Sequence, residues 1–300
     1  MIKRNAVLFP GQGSQSQGIL TRLIERFPSI KGKLADLLGA AGCNTNPEAW
    51  EKEANWNSSV TAHIAIVAAG IASWNVLTDE HSVKADLLAG HSLGEITALA
   101  CSKTISDEYA MRLARARGEA MEKASLSRPS GMMAVIGLGC SEVEGILAEY
   151  NPSGRERIWL ANINLPDQVV IAGELSALEE IERPLKMQKA RVVRLPTAGA
   201  FHTPIMRPAA DEFSRVLERV KWHEPQIPIV SSRTGRLITN PGSLRIHLTL
   251  QLIQPVIWVS VMEFLMRSGI SQVFEVAPAG VLSGLAKRFG FSDIDESFRL

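Results

Sequence analysis

The chain has 300 residues, a length that suits one large domain or a large domain carrying a smaller one. Its 46% hydrophobic and 21% charged residues exclude a disordered or fibrous chain, and 32 basic against 31 acidic side chains (net +1) exclude a long-range field that would gather nucleic acid or an anionic membrane. Cys43, Cys101 and Cys140 are odd in number and far apart, which fits neither a disulfide scaffold nor a CxxC metal site, so reduced thiols in a cytoplasmic protein are expected.

The apolar run from Ala6 to Phe9 is too short, ahead of Pro10, to be the apolar core of a signal segment. It predicts a first strand, followed by a helix-patterned stretch from Ile19 to Ala40 and another from Val60 to Leu77. The longest apolar run, Ile64 to Trp74, falls short of the ~20 residues that span a bilayer, so no membrane partner is expected. Leu87 to Ala89 reads as a second strand, Ile96 to Ala100 and Asp107 to Lys123 as helices. Further on, Ile229 to Ser231 and Val273 to Val276 read as strands. Short, continuously apolar strands are those of a parallel sheet covered on both faces. Between Arg128 and Thr197 the texture changes to strand Met132 to Leu138, helix Ser141 to Tyr150, strands Ile158 to Asn162 and Val169 to Ala172, helix Ser176 to Lys189 and strand Arg191 to Leu195. That β-α-β-β-α-β order is the order of a ferredoxin-like unit. The expected fold class is therefore α/β. A large α/β-hydrolase-like domain with a parallel sheet would be formed by residues 1–127 and 198–300, and a ferredoxin-like subdomain by residues 128–197, with a ligand cleft beside the insertion.

The most telling local pattern is Gly90-His91-Ser92-Leu93-Gly94, a GxSxG nucleophile elbow between a strand and a helix. Glycine is needed on either side because the serine sits on a turn too sharp for side chains at those positions. Its hydroxyl would project into the cleft, and the Leu93 amide at the start of the next helix could face a developing oxyanion. Of the six histidines, His202 in Gly199-Ala200-Phe201-His202 is the best candidate for the base, because its loop follows the strand leaving the insertion. His91 is expected as a wall of the site, and His63, His81, His223 and His247 as ordinary surface or core residues. No carboxylate announces itself as a third triad member, and carbonyls of Gln251 or Asn240 could hold the imidazole tautomer instead. The loop Pro10-Gly11-Gln12-Gly13-Ser14-Gln15-Ser16 fails the dinucleotide fingerprint at Ser16 and lacks a P-loop lysine, but the Gln12 amide could complete an oxyanion hole. Ala110, Leu113, Ala114, Arg117 and Met121 share one helical face, so Arg117 falls on the apolar side and needs a carboxylate from within the protein or from a substrate.

Together these segments resemble the malonyl-CoA:acyl carrier protein transacylase family, the acyltransferases of fatty-acid and polyketide synthesis. The likeness also takes in Arg117-Gly118, Asn162 through Gly173, Gln251 through Val256 and Glu275-Val276-Ala277-Pro278. The chain departs from the family pattern at Ser59-Val60, where Gln-Pro is usual, and at Cys101-Ser102-Lys103. The resemblance implies Ser92 as nucleophile, His202 as base oriented by a Gln251 carbonyl, and the Gln12 and Leu93 amides as oxyanion hole. It implies Arg117 as the malonyl carboxylate clamp, with Phe201 resembling malonyl-selective members; Phe201 and, as a wall of the site, His91 are the expected further substrate-binding residues. Malonyl-CoA and a phosphopantetheinylated acyl carrier protein are the implied partners. No metal or bound organic cofactor is implied, since CoA arrives as part of the substrate. The acyltransferase subunit of malonate decarboxylase and a stand-alone polyketide acyltransferase share the same chemistry, and an acyl-thioester hydrolase would share its first half.

Overall fold

The computed structural model describes residues 3–151, 156–197 and 199–300. The first part of the chain forms β1 (Asn5–Phe9), α1 (Ile19–Arg26), α2 (Lys31–Ala40), α3 (Pro47–Glu53), α4 (Ser59–Asn75), β2 (Leu87–Gly90), α5 (Gly94–Cys101) and α6 (Asp107–Ser127). There follow β3 (Ser130–Ile136), α7 (Cys140–Tyr150), β4 (Ile158–Leu165), β5 (Gln168–Glu174), α8 (Leu175–Met187) and β6 (Arg191–Arg194). The last part holds α9 (Arg207–Leu217), β7 (Ile229–Val230), α10 (Leu244–Gln251), β8 (Val256–Ile257), α11 (Trp258–Arg267), β9 (Gln272–Glu275), α12 (Val281–Phe289) and β10 (Asp293–Asp295).

A parallel sheet in the order β10-β9-β1-β2-β7 forms the centre. Its middle strands are buried on both faces, which is why they read as unbroken apolar runs. One face packs against α4, α5 and α6, the other against α11 and α12. The second sheet, in the order β6-β3-β5-β4-β8, is antiparallel except where β8 joins β4. It rests on α7 and α8 through its own apolar cluster.

Three features depart from the sequence reading. The stretch from Ile19 to Ala40 is two helices, because Pro28 pushes Phe27 out of helical geometry (φ −132°, ψ 77°). The small sheet receives a fifth strand, β8, from outside 128–197, and residue 198, the expected boundary, lies outside the described residues. The run that looked too short to span a bilayer belongs to a helical segment, Ser59–Glu80, with a mean hydropathy of 1.6 over an 18-residue window. The segment is long and apolar enough to cross a membrane, yet 89% of that window is buried inside the protein. A helix apolar on all sides is one packed on all sides, and α4 is enclosed by α1, α2, α5 and α6.

Polar groups fix the ends of the elements around the site. Ser58 and Ser106 cap α4 and α6, accepting hydrogen bonds from Val60 N and Tyr109 N. The Glu122 carboxylate of α6 accepts from Ser58 Oγ at 2.7 Å and from Ser59 N at 3.1 Å, tying the first turn of α4 to α6.

Candidate active site

Ser92 occupies the turn from β2 into α5 at the carboxyl edge of the parallel sheet, where ligands bind in open α/β folds. Its φ is +53°, a left-handed conformation that a non-glycine residue adopts at a cost. Gly90 and Gly94 make the turn possible. A Cβ on Gly90 would overlap the Gly94 backbone, and one on Gly94 would overlap the carbonyl of Phe9. His202, in the loop after the small sheet, also has a positive φ, +63°. The two strained residues meet: Ser92 Oγ lies 2.8 Å from His202 Nε2.

Gln251 at the end of α10 supplies the third contact, its main-chain carbonyl 2.7 Å from His202 Nδ1. That carbonyl can only accept, so Nδ1 carries the proton and Nε2 presents its lone pair to the serine hydroxyl. The Gln251 side chain points elsewhere, donating to the buried Glu95 carboxylate. Glu95 also accepts from Ser232 N at 3.3 Å and His247 Nε2 at 3.0 Å. Asn240, the other residue considered for this place, caps a short turn through Gly242 N and has no contact with His202.

Arg117 is 1% exposed, and no salt bridge to it forms among the described residues. Its Nη2 donates to Ser92 Oγ at 3.0 Å and lies 3.5 Å from Gln251 Oε1, while Nε has no hydrogen-bond partner among the described residues. Burial lowers the guanidinium pKa to about 10, which leaves it charged at neutral pH. Burial first, and the Arg117 charge second, push His202 down to about 3, so its ring is neutral. Burial likewise lowers His91, whose Nε2 donates to Asn164 Oδ1 at 3.1 Å and whose ring packs against Trp258 with centroids 5.2 Å apart.

A cavity of about 600 Å³ opens onto these groups, lined among others by Gln12, His91, Ser92, Arg117, Asn162, Phe201 and His202. The N–H groups of Gln12 and Leu93 form no hydrogen bond among the described residues. The Leu93 side chain is buried in the core beneath the turn, so the residue can offer the cavity only its main chain. Of the nine residues singled out from the sequence, all but Asn240 therefore lie in or directly behind one site. Two that the sequence reading passed over also belong to it. His63 was expected to be an ordinary surface or core histidine, yet it contacts both Gln12 and Arg117. Glu95 anchors Gln251 from behind. The available signal in both cases was a titratable residue inside an apolar helical run.

The acyl transferase domain model matches residues 7–288, nearly the full chain. The chain belongs to the acyl transferase domain family. It is similar to the malonyl CoA-acyl carrier protein transacylase of Salmonella typhimurium, 33% identical over 289 residues that make up 94% of this chain and 92% of that one. Among solved structures of the acyl transferase family it is similar to FabD from Acinetobacter baumannii, with a TM-score of 0.90 and 32% identity over 97% of this chain and 93% of that one. It is also similar to PlMCAT, a malonyl-transacylase in complex with AntF, its type II PKS acyl-carrier protein, with a TM-score of 0.88 and 32% identity over 97% of this chain and 94% of that one.

Proposed function

We propose that the protein transfers a malonyl group from malonyl-CoA to the phosphopantetheine thiol of an acyl carrier protein through a malonyl-serine intermediate. The observation that carries this is Arg117: a charged guanidinium, 1% exposed, with no salt bridge among the described residues and placed 3.0 Å from the candidate nucleophile. A buried cation without a counter-ion destabilises the folded protein, and a planar fork facing a cavity is complementary to a carboxylate carried by the acyl group.

In this mechanism Ser92 Oγ attacks the malonyl thioester carbonyl while His202 Nε2 takes the hydroxyl proton. The Gln251 carbonyl, bonded to Nδ1, keeps the ring in the tautomer that can do so. The oxyanion is met by the N–H groups of Gln12 and Leu93, the latter at the positive end of α5. The carbon–sulfur bond then breaks, and the CoA thiolate leaves with the proton from His202. The carrier thiol gives its proton to the same nitrogen and attacks the acyl-serine, and Ser92 recovers the proton as its ester bond breaks. His91 and Phe201 shape the acyl pocket, with the Phe201 ring crowding a branched α-carbon. The Ser92 turn, with its strand, sharp left-handed turn and helix, is read as a nucleophile elbow of the α/β-hydrolase kind. The small sheet's β6-β3-β5-β4 order supports a ferredoxin-like subdomain at 128–197 set into a catalytic domain formed by 1–127 and 198–300. Only CoA and the carrier are needed as partners, without an organic cofactor, and the cytoplasm is the place of work.

Intact-mass spectrometry after brief mixing with malonyl-CoA, and then with a phosphopantetheinylated carrier, tests this function. A malonyl adduct that is absent in Ser92→Ala and moves to the carrier is expected. An adduct lost to water at the same rate with or without carrier identifies a hydrolase instead.

A further inference from the structure

His63 lies on α4, one helical turn after Ser59, so the two side chains share a face. Both reach the Gln12 side chain, Ser59 Oγ at 3.2 Å and His63 Nε2 at 3.0 Å. The same His63 Nε2 lies 3.4 Å from Arg117 Nη1, and Nδ1 lies 3.3 Å from the carbonyl of Ala114, one turn before Arg117 on α6. A single, fully buried imidazole thus touches the loop after β1 and two points of α6.

Its protonation state follows from these partners. The Ala114 carbonyl can only accept, so Nδ1 carries the proton. Nε2 is then an acceptor, which suits the guanidinium that donates to it. The Gln12 amide stands with Oε1 toward His63 and Nε2 donating to Ser59 Oγ; turned over, its NH2 shares the single Nε2 lone pair with Arg117 in a three-centre bond and its oxygen accepts from the Ser59 hydroxyl. A second proton on the ring would face Arg117 across 3.4 Å with like charge, and burial together with that charge holds the His63 pKa well below the ordinary value. In this state every polar atom of the His63 ring is paired.

We propose that neutral His63 is a positioning residue that locks the Gln12 loop and the Arg117 guanidinium into one hydrogen-bonded register, so that the oxyanion donor and the carboxylate clamp are set by the same ring. This role rests on the malonyl-transfer function proposed above. The link is physical. The Gln12 peptide follows its side chain, and the direction of the Arg117 fork follows the acceptor at Nη1.

Three variants test it, with malonyl-CoA and acetyl-CoA as donors and single-turnover acylation of Ser92 as the readout. His63→Gln keeps an amide at the Nε2 position, His63→Asn keeps only the group near Nδ1, and His63→Leu keeps neither. Loss of a hydrogen bond to a charged group predicts that His63→Leu and His63→Asn acylate with malonyl roughly tenfold to a hundredfold more slowly. The loss with acetyl is smaller, because acetyl uses the oxyanion donor and has no carboxylate for Arg117. His63→Gln recovers most of the malonyl rate. A His63→Gln rate no better than that of His63→Asn overturns the proposal, as does an equal loss for the two donors or a malonyl rate within twofold of wild type in all three variants. If His63→Leu does not fold, the Gln and Asn pair decides alone. Failure of the wild-type chain to form any malonyl adduct would instead refute the function itself.

Discussion

At the scale of single residues, Arg117 concentrates the conflict between stability and function. Its guanidinium is buried with one nitrogen unpaired among the described residues, and after burial its charge is the next cause of the lowered pKa of His202. Arg117→Ala is expected to lower malonyl transfer by roughly a hundredfold or more, the scale on which a buried charge loses its partner, while acetyl transfer is spared. Parallel steady-state assays with the two CoA thioesters check this, and equal losses would remove the clamp role. The same residue makes a second prediction of opposite sign. Arg117→Met fills similar space without a buried charge and is expected to stabilise the fold by about 1 kcal/mol or more, measured by chemical denaturation. Lower stability would mean that the hydrogen bonds to Ser92 and Gln251 outweigh the desolvation of the charge. The sequence alone placed Arg117 on an apolar helix face and left its partner open between an internal carboxylate and a substrate. Spacing along one helix cannot say what lies opposite, and only the packed structure shows that no salt bridge forms there among the described residues.

At the scale of elements, the site depends on how closely α4 approaches α6. Gly118 allows that approach, because a Cβ there would come within 2.7 Å of Val60 Cα. Gly118→Ala is expected to force the helices apart, costing about 1–3 kcal/mol of stability as overpacking. It should also slow malonyl transfer, since Arg117 is the preceding residue and His63 sits across the interface. Thermal melting and the acylation rate should fall together. A variant that loses stability but keeps the wild-type rate would uncouple the helix crossing from the site. Element boundaries followed local signals closely where those were strong: β1, β2, α6 and the strands and helices of the small sheet fall within a few residues of their sequence positions. The exceptions have two causes, one local and one tertiary. Pro28 divides the first helical stretch, and β8 is a two-residue strand whose only warrant is its pairing with β4.

At the scale of the whole molecule, three imidazoles, those of buried His63 and His202 and of half-buried His91, stand in neutral form with pKa values shifted downward. An unfolded histidine titrates near 6.5, so below about that pH the unfolded chain binds protons that the folded chain refuses. The contribution of these groups to stability is fully present above about pH 6.5 and is lost as pH falls toward their folded values. Melting temperature is therefore expected to drop between pH 7 and pH 5, and the drop should shrink in the His63→Gln variant. A melting temperature that is flat or rising across that range would contradict the neutral, buried assignment.

The sequence by itself determined the α/β alternation, the parallel character of the central strands and the strained serine turn. Each of these is written in short-range pattern: apolar runs with the period of a strand or a helix, and glycines where a side chain would collide. Only the tertiary structure decided what the residues of the site do to one another. It chose the Gln251 main-chain carbonyl as the partner of His202, left Arg117 without a salt bridge among the described residues and drew His63 into the site from near the start of a core helix. Those outcomes depend on which groups burial brings within about 3 Å across dozens of intervening residues, a distance at which hydrogen bonds form and on which no local pattern along the chain reports.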